Sequence, residues 1–412
     1  MSEAHSPTHC WFLAHLTHTS FTLTAAKTPL QLIFRFCRRD SASESENLFV
    51  ETSLTYALSY ASSLFGAAIR PATFTILADT EYYSKGQRSK SSWQSSRFHN
   101  YDIPIHEVHK TGLGSSAALV TAFVTAAIAY FVPLTLQDAE TKEGKQRIHN
   151  LAQAAHCAAQ GKVGSGFDIA AAVYGSCVYR RFSPKILEKL GSSNEPDFAP
   201  KLKSVVDDAD LFGKWDTNVD KNAAIIPKGM LLVMVDVDCG SQTVGMVKSV
   251  LRWKEQARDE ATMLWASLQA ANEDFAEQLR LLSQKPRFPT DDLDRLKKTI
   301  LTVRSLLRAM SREAGVPIEP PVQTALIDAC SGLPGVVGGV VPGAGGYDAI
   351  ALLIEDKADV VRDLRSLLAE YAADAKEADG VRIGKLRLLG VQQDSDGVFI
   401  EDVDEYEPWL RR

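Results

Sequence analysis

The residues best suited to chemistry in this 412-residue chain lie in three glycine-rich stretches. "KTGLGSSAALVTA" (Lys110–Ala122) sets Gly112 and Gly114 before Ser115 and Ser116, directly in front of a long apolar run. "GKVGSGFDIAAAVYGS" (Gly161–Ser176) brings Asp168 to the start of a small-residue helix, and "PGAGGYDAI" (Pro342–Ile350) joins two apolar runs. Glycine lets backbone N–H groups turn toward a ligand. The first turn of a helix adds unpaired N–H donors and a partial positive charge. Serine hydroxyls bond phosphate or ligate a hard cation such as Mg²⁺. Together these are the parts of a phosphate cradle. The plainer reading of each is a serine-capped buried helix and an aspartate N-cap. The third stretch favours the cradle, because a hairpin turn needs one or two glycines and this one has Gly343, Gly345 and Gly346.

Two familiar phosphate motifs are excluded. No Gly-Lys-Ser/Thr occurs, so there is no Walker A loop. Gly112, Gly114 and Ala117 fit a dinucleotide fingerprint, but "HEVHK" precedes them instead of an apolar strand, and no acid follows until Asp138.

The elements that must position these turns alternate between helix and strand. Helical spacing runs over Leu48–Leu64, from Ser115 to about Phe131, and over Lys145–Gln160, where Ile148, Leu151, Ala152, Ala155 and Ala159 share a face. Strands are expected at Leu30–Phe36, Ala72–Ala78, in "CVYRRF" and at Gly229–Val237. Residues 79–100 read as an exposed loop and 187–228 as an irregular, charged crossover. Three or four helices fill about Gln242–Arg312. Then come a proline-started helix at "PPVQTALIDAC", the strand–turn–strand around the third glycine stretch, a helix near Lys357–Tyr371 and a strand near Leu386–Gly390.

Composition is that of a globular protein, with 45% apolar and 23% charged residues. The net charge of −6 argues against nucleic-acid or anionic-membrane partners. No segment reaches the roughly 20 apolar residues that a bilayer requires. The six cysteines are scattered without metal or redox spacing, which suits reduced thiols in a cytoplasmic protein.

The three stretches, with "IEPPVQTALIDAC" and "IHNLAQAAHCAAQGK", resemble the GHMP kinases, and within that superfamily most closely the fungal type of phosphomevalonate kinase. The resemblance covers about Asn47 to the C-terminus. It implies an α+β fold of two domains, an N-terminal domain of ribosomal-protein-S5-like topology and a ferredoxin-like C-terminal domain, with the active site in the cleft between them. Residues 47–228 and 229–392 are the expected domains, 1–46 an unmatched irregular segment and 393–412 a solvated acidic tail. The implied activity transfers the γ-phosphoryl of ATP, with Mg²⁺, to 5-phosphomevalonate, giving 5-diphosphomevalonate on the route to isoprenoids and sterols. A monomer or weak dimer without nucleic-acid or membrane partners is expected.

The resemblance carries over residue by residue. Lys110, Thr111, Gly112, Leu113, Gly114, Ser115, Ser116 and Ala117 match the family's ATP-phosphate loop, with Ser115 or Ser116 toward Mg²⁺ and Ser116 the expected metal ligand. Asp168 matches the acidic residue of the catalytic centre. Lys162 and Lys110 join it as catalytic cations, and Ser165 and Gly166 lie beside it. Gly343, Ala344, Gly345, Gly346 and Asp348 match the C-terminal glycine motif, and Ser241 and Thr243 a stretch near the acceptor. The family's opening Pro-Gly-Lys motif has no match in the chain. Its absence leads to the expectation of impaired activity, with a catalytically inactive GHMP-fold sensor or interaction protein, or a kinase for another small metabolite, as the alternatives.

Overall fold

The computed structural model of the chain describes residues 12–14, 21–28, 31–38, 47–65, 74, 76–78, 82, 113–132, 140–209, 214–223, 225–238, 245–373, 377–378, 381–390 and 393–399. It divides into two compact units, His9–Lys221 with Asp394–Arg412, and Met1–Thr8 with Asn222–Gln393.

In chain order the first unit holds β1 (Phe12–Ala14), β2 (Phe21–Thr28), β3 (Gln31–Arg38), α1 (Leu48–Phe65), β4 (Leu77–Ala78), α2 (Ser115–Phe131), α3 (Lys142–Gln160), α4 (Phe167–Tyr174), β5 (Val178–Arg180), α5 (Lys185–Glu188), α6 (Phe198–Val206) and β6 (Asn218–Asp220). Strands pair antiparallel as β1 with β4, β2 with β3 and β5 with β6. Residues 1–46 are therefore not the irregular segment expected. They carry a hairpin of two eight-residue strands, from Phe21 opposite Arg38 to Thr28 opposite Gln31, the second of them being the strand expected at Leu30–Phe36. Its two-residue connection is Pro29-Leu30, without the Asn-Gly or Gly-X signature that marks such turns in sequence.

The core of this unit is helical. Val120, Val124 and Ile128 of α2 pack with Leu151, Ala152 and Ala155 of α3 and with Ile169 and Val173 of α4. Thr141 caps α3, its Oγ1 accepting the Gly144 N–H at 3.0 Å, and Gly161 ends it in the left-handed conformation. The stretch 187–228, expected to be irregular, contains α6 and β6. Phe198, Leu202, Val205 and Val206 of α6 form one buried face, short enough for the surrounding charges to hide its period. The acidic tail also departs from expectation. Ser176 N–H donates to Asp394 O at 2.7 Å and Val398 N–H to Val173 O at 3.1 Å, and the Val398 side chain is buried in the helical core. One apolar residue among acids is enough to dock the segment, and net charge does not report it.

The second unit holds β7 (Met230–Val237), α7 (Met246–Gln256), α8 (Arg258–Ser283), α9 (Thr290–Ala314), α10 (Pro321–Ser331), β8 (Val336–Val340), β9 (Ala349–Glu355), α11 (Ala358–Ala373), β10 (Glu377–Ala378), β11 (Val381–Arg382) and β12 (Leu386–Leu388). Its four-stranded antiparallel sheet has the order β12-β7-β9-β8. With helices between β7 and β8 and between β9 and β12, this is the ferredoxin-like split βαβ arrangement. Strand alternation gives the sheet two apolar faces. Val233, Val235, Ile350, Leu352 and Ile354 pack with Leu326 of α10 and Leu364 of α11. Met230 and Leu353 face Leu279 of α8 and Leu296 and Ile300 of α9.

Candidate phosphate site

The start of α2 is shaped by Gly114. It is the N-cap residue in the left-handed conformation (φ 73°), and its carbonyl accepts from Ala117 and Ala118. The N–H groups of Ser115 and Ser116 precede the first intrahelical bond, and no side chain caps this end. Ser115 and Ala117 are buried while Leu113, Gly114 and Ser116 are half-buried. Lys110, Thr111 and Gly112, and with them Ser241 and Thr243, lie outside the described residues.

Asp168 comes to the same place from α4. A Cβ added to Gly114 would stand 3.7 Å from the Asp168 Cβ. The N-cap of α4 is Gly166 (φ 75°), so Asp168 is not the cap that its position suggested. Its Oδ1 accepts the Ile169 N–H at 3.0 Å, and its side chain keeps 24% exposure. Gly166 is fixed from below, where Gln153 Nε2 donates to its carbonyl at 2.7 Å. Lys162 and Ser165 are exposed on the connection between α3 and α4.

Between the two helix starts stands His156, which the sequence reading left out. Its Nε2 lies 3.1 Å from Ser116 Oγ, 3.2 Å from Gln160 Nε2 and 3.9 Å from Asp168 Oδ2. The Phe49 ring covers it at 5.5 Å between centroids. Burial lowers its pKa, Asp168 opposes that change and Lys162 reinforces it, so the ring is neutral near pH 7. A signal for it did exist. His149, Gln153, His156 and Gln160 recur at intervals of four, three and four, a polar stripe with the same period as the apolar face of α3.

The third glycine stretch belongs to the other unit. Gly343 and Ala344 are exposed, Gly345 and Asp348 half-buried and Gly346 buried. The close approach expected there is partly internal. Gly346 N–H donates to Ile318 O at 3.0 Å, and a Cβ on Gly345 (φ 84°) would fall 2.6 Å from the Ile318 Cα. Gln323 Nε2 donates to Tyr347 O at 2.6 Å, tying the turn to α10.

Comparison with known proteins gives these features a family. The chain matches the GHMP kinases N terminal domain over residues 95–176 and the GHMP kinases C terminal domain over 293–373. It is 49% identical over 372 residues to phosphomevalonate kinase erg8 of Aspergillus fumigatus, an alignment covering 88% of this chain and 75% of that one. The chain belongs to the phosphomevalonate kinase family of GHMP kinases. It is 44% identical over 368 residues to the Gibberella zeae phosphomevalonate kinase, covering 88% of this chain and 78% of that one. The fold agrees with the crystal structure of Streptococcus pneumoniae phosphomevalonate kinase, at TM-score 0.50 and 15% identity over 84% of this chain and 87% of that one.

Family membership makes this an ATP-dependent kinase. Among the described residues no group of three or more His, Cys, Asp or Glu could cage a metal. A phosphomevalonate kinase does not need such a cage. Mg²⁺ keeps several waters and takes one or two protein oxygens beside substrate phosphates, and the Ser116 hydroxyl with the Asp168 carboxylate supplies that kind of donor set. No helix among the described residues is long and apolar enough to cross a membrane, and Cys157, Cys177 and Cys330 are free thiols.

Proposed function

We propose that this chain transfers the γ-phosphoryl group of ATP to (R)-5-phosphomevalonate, giving ADP and (R)-5-diphosphomevalonate, in a cytoplasmic setting. The observation that carries the reading is the meeting of the uncapped α2 start with Ser116 and Asp168, in a chain that belongs to this kinase family. The first-turn N–H groups of Ser115 and Ser116 receive nucleotide phosphate oxygens. Ser116 Oγ and the Asp168 carboxylate would hold the magnesium ion, which neutralises phosphate charge when bound.

The acceptor sets the remaining demands. The second pKa of a phosphate monoester is about 6, so near pH 7 it is already mostly a dianion. A strong general base is unnecessary. The difficulty is holding two polyanions together, and this falls to backbone N–H groups, the metal and lysines. Lys162, exposed on the connection that leads to Asp168, would supply a cation for the phosphates. Asp168 acts by orientation more than by proton removal. By its match to the family motif alone, Gly343–Asp348 is assigned to the acceptor.

The test is coupled ADP release from ATP and 5-phosphomevalonate with the full chain and with Ser116→Ala. Removal of one well-placed electrostatic group costs about 10²–10³ in rate. A wild-type chain that turns over ATP with mevalonate but not with 5-phosphomevalonate would refute the substrate assignment.

A further inference from the structure

The geometry points to His156 as a positioning residue that accepts the Ser116 hydroxyl proton and so turns the Ser116 oxygen toward Mg²⁺ and phosphate. This rests on the functional reading above and deepens it. A serine hydroxyl that ligates a cation must direct a lone pair to it, and its proton then needs an acceptor elsewhere. Within the described residues His156 Nε2 is the acceptor at hand, 3.1 Å from Ser116 Oγ. The second neighbour agrees with this role. Gln160 presents its amide nitrogen to the same atom at 3.2 Å, and an amide nitrogen only donates. With the ring proton on Nδ1, the single Nε2 lone pair is shared between the Ser116 hydroxyl and this amide.

The ring has little freedom to do otherwise. Its side chain is 4% exposed, packed at a tilt against the Phe49 ring and carried by the buried part of α3. Asp168 Oδ2, 3.9 Å from Nε2, is too far for a hydrogen bond to the ring. His156 thus spaces two helix starts and assigns a proton, without itself reaching the outer surface. Partners that orient a metal ligand in this way typically change metal affinity by about 10–100-fold when removed.

The experiment uses the 412-residue chain and calorimetry of ATP binding with and without Mg²⁺, beside the ADP-release assay. His156→Leu keeps an apolar contact for Phe49 but offers no acceptor. It is expected to weaken Mg-ATP binding about 10-fold or more and to leave metal-free ATP binding unchanged. His156→Gln, whose amide oxygen reaches the place of Nε2, should recover most of the loss. His156→Asn stops short of Ser116 and should not, and it serves as the polar counterpart if the leucine variant does not fold. In a Ser116→Ala background His156→Leu should add nothing further, since residues acting as one unit are not additive.

Equal losses with and without Mg²⁺, losses that multiply in the double variant, or a folded His156→Leu chain with unchanged Mg-ATP affinity each overturn the inference. If the wild-type chain binds Mg-ATP but does not phosphorylate 5-phosphomevalonate, the functional reading fails and this inference stands. A wild-type chain that does not bind Mg-ATP overturns both.

Discussion

Arg304 on α9 and His156 on α3 are both buried polar side chains on long helices, one in each unit, and their surroundings differ in kind. Arg304 is enclosed. Its guanidinium gives Nε and Nη2 to Glu319, with Nη2–Oε1 at 2.8 Å, and Nη1 to Asp328 at 2.6 Å. Glu319 also accepts from Arg308 at 2.7 Å and Thr324 at 3.0 Å. The Arg304 and Glu319 side chains are 2% and 0% exposed. Burial works against the Arg304 charge, and the two carboxylates more than offset it, so its pKa is raised. The His156 cluster is built from fewer bonds and opens outward through Ser116 and Asp168. A saturated network spends its polar groups on one another and leaves none for a ligand. The cluster at the α2 and α4 starts keeps a hydroxyl, a carboxylate and helix N–H groups directed to a common place.

The sharpest way to break the comparison is Glu319→Leu. It leaves the buried Arg304 guanidinium with Asp328 as its one remaining carboxylate, and removal of one partner from a buried pair costs up to about 3–5 kcal/mol. Turnover per folded molecule should change little. Denaturant midpoints and active-site-normalised rates measure the two effects separately. Arg304→Met combined with Glu319→Leu should regain much of the loss, because an apolar pair removes the desolvation penalty along with the charges. A double variant no more stable than Glu319→Leu would show that the network does more than neutralise itself.

Asp168→Asn probes the open cluster and should give the opposite pattern. Asparagine keeps an acceptor for the Ile169 N–H, and Asp168 does not cap α4, so the melting temperature should barely move. Loss of the carboxylate charge should cut turnover by about 10²-fold or more, roughly 3 kcal/mol in the barrier. A fall in stability with unchanged rate would reassign Asp168 to a structural role.

His149 stands between the two cases, buried on α3 beside Tyr174, Tyr179 and Trp215. Burial lowers its pKa from 6.5 to about 4, and a hydrogen bond with Asn150 opposes the shift. The folded state holds this ring neutral while the unfolded chain protonates it near pH 6.5. Its contribution to stability is therefore complete above pH 6.5 and is lost as pH falls through about 4. At about 1.4 kcal/mol per pH unit the loss is at most about 3 kcal/mol. Urea unfolding between pH 7 and 4 should show this slope, and His149→Gln should flatten it. An unchanged slope in the variant would locate the titration elsewhere.

The order of elements was legible because both sheet faces and the helix faces of α1, α2 and α3 obey simple periods. The helix start after Gly114 was legible because glycine and serine stand directly before an apolar run, and the Asp168 stretch because a second such glycine turn opens α4. His156 was not, since a polar residue at a core position looks like an interruption until the chain is folded around it. Of the hairpin, β3 was expected at Leu30–Phe36, but its pairing with β2 was hidden for want of a glycine turn signal between them, and the docking of the tail by its charge. The third glycine stretch was read as part of a ligand cradle, yet some of its glycine content serves the contact with Ile318.

That contact supports the last and smallest expected effect. Ile318 precedes Glu319, so the glycine turn leans on the segment that carries the carboxylate of the Arg304 network. Gly345→Ala meets two obstacles at once. Its φ of 84° disfavours any Cβ, and the added carbon would press on the Ile318 backbone. Strained backbone of this kind costs about 1–3 kcal/mol, and the strain can be relieved only by moving 342–346 or displacing Ile318. If the turn moves, KM for 5-phosphomevalonate should rise while the denaturant midpoint falls modestly. If Ile318 moves instead, Glu319 is disturbed, and most of the stability loss should disappear in the Arg304→Met, Glu319→Leu background while KM stays unchanged. The two outcomes differ in which unit property responds, so one variant in two backgrounds decides whether the saturated network serves the glycine turn or only supports its own helices. A Gly345→Ala chain with wild-type stability and wild-type KM would contradict both.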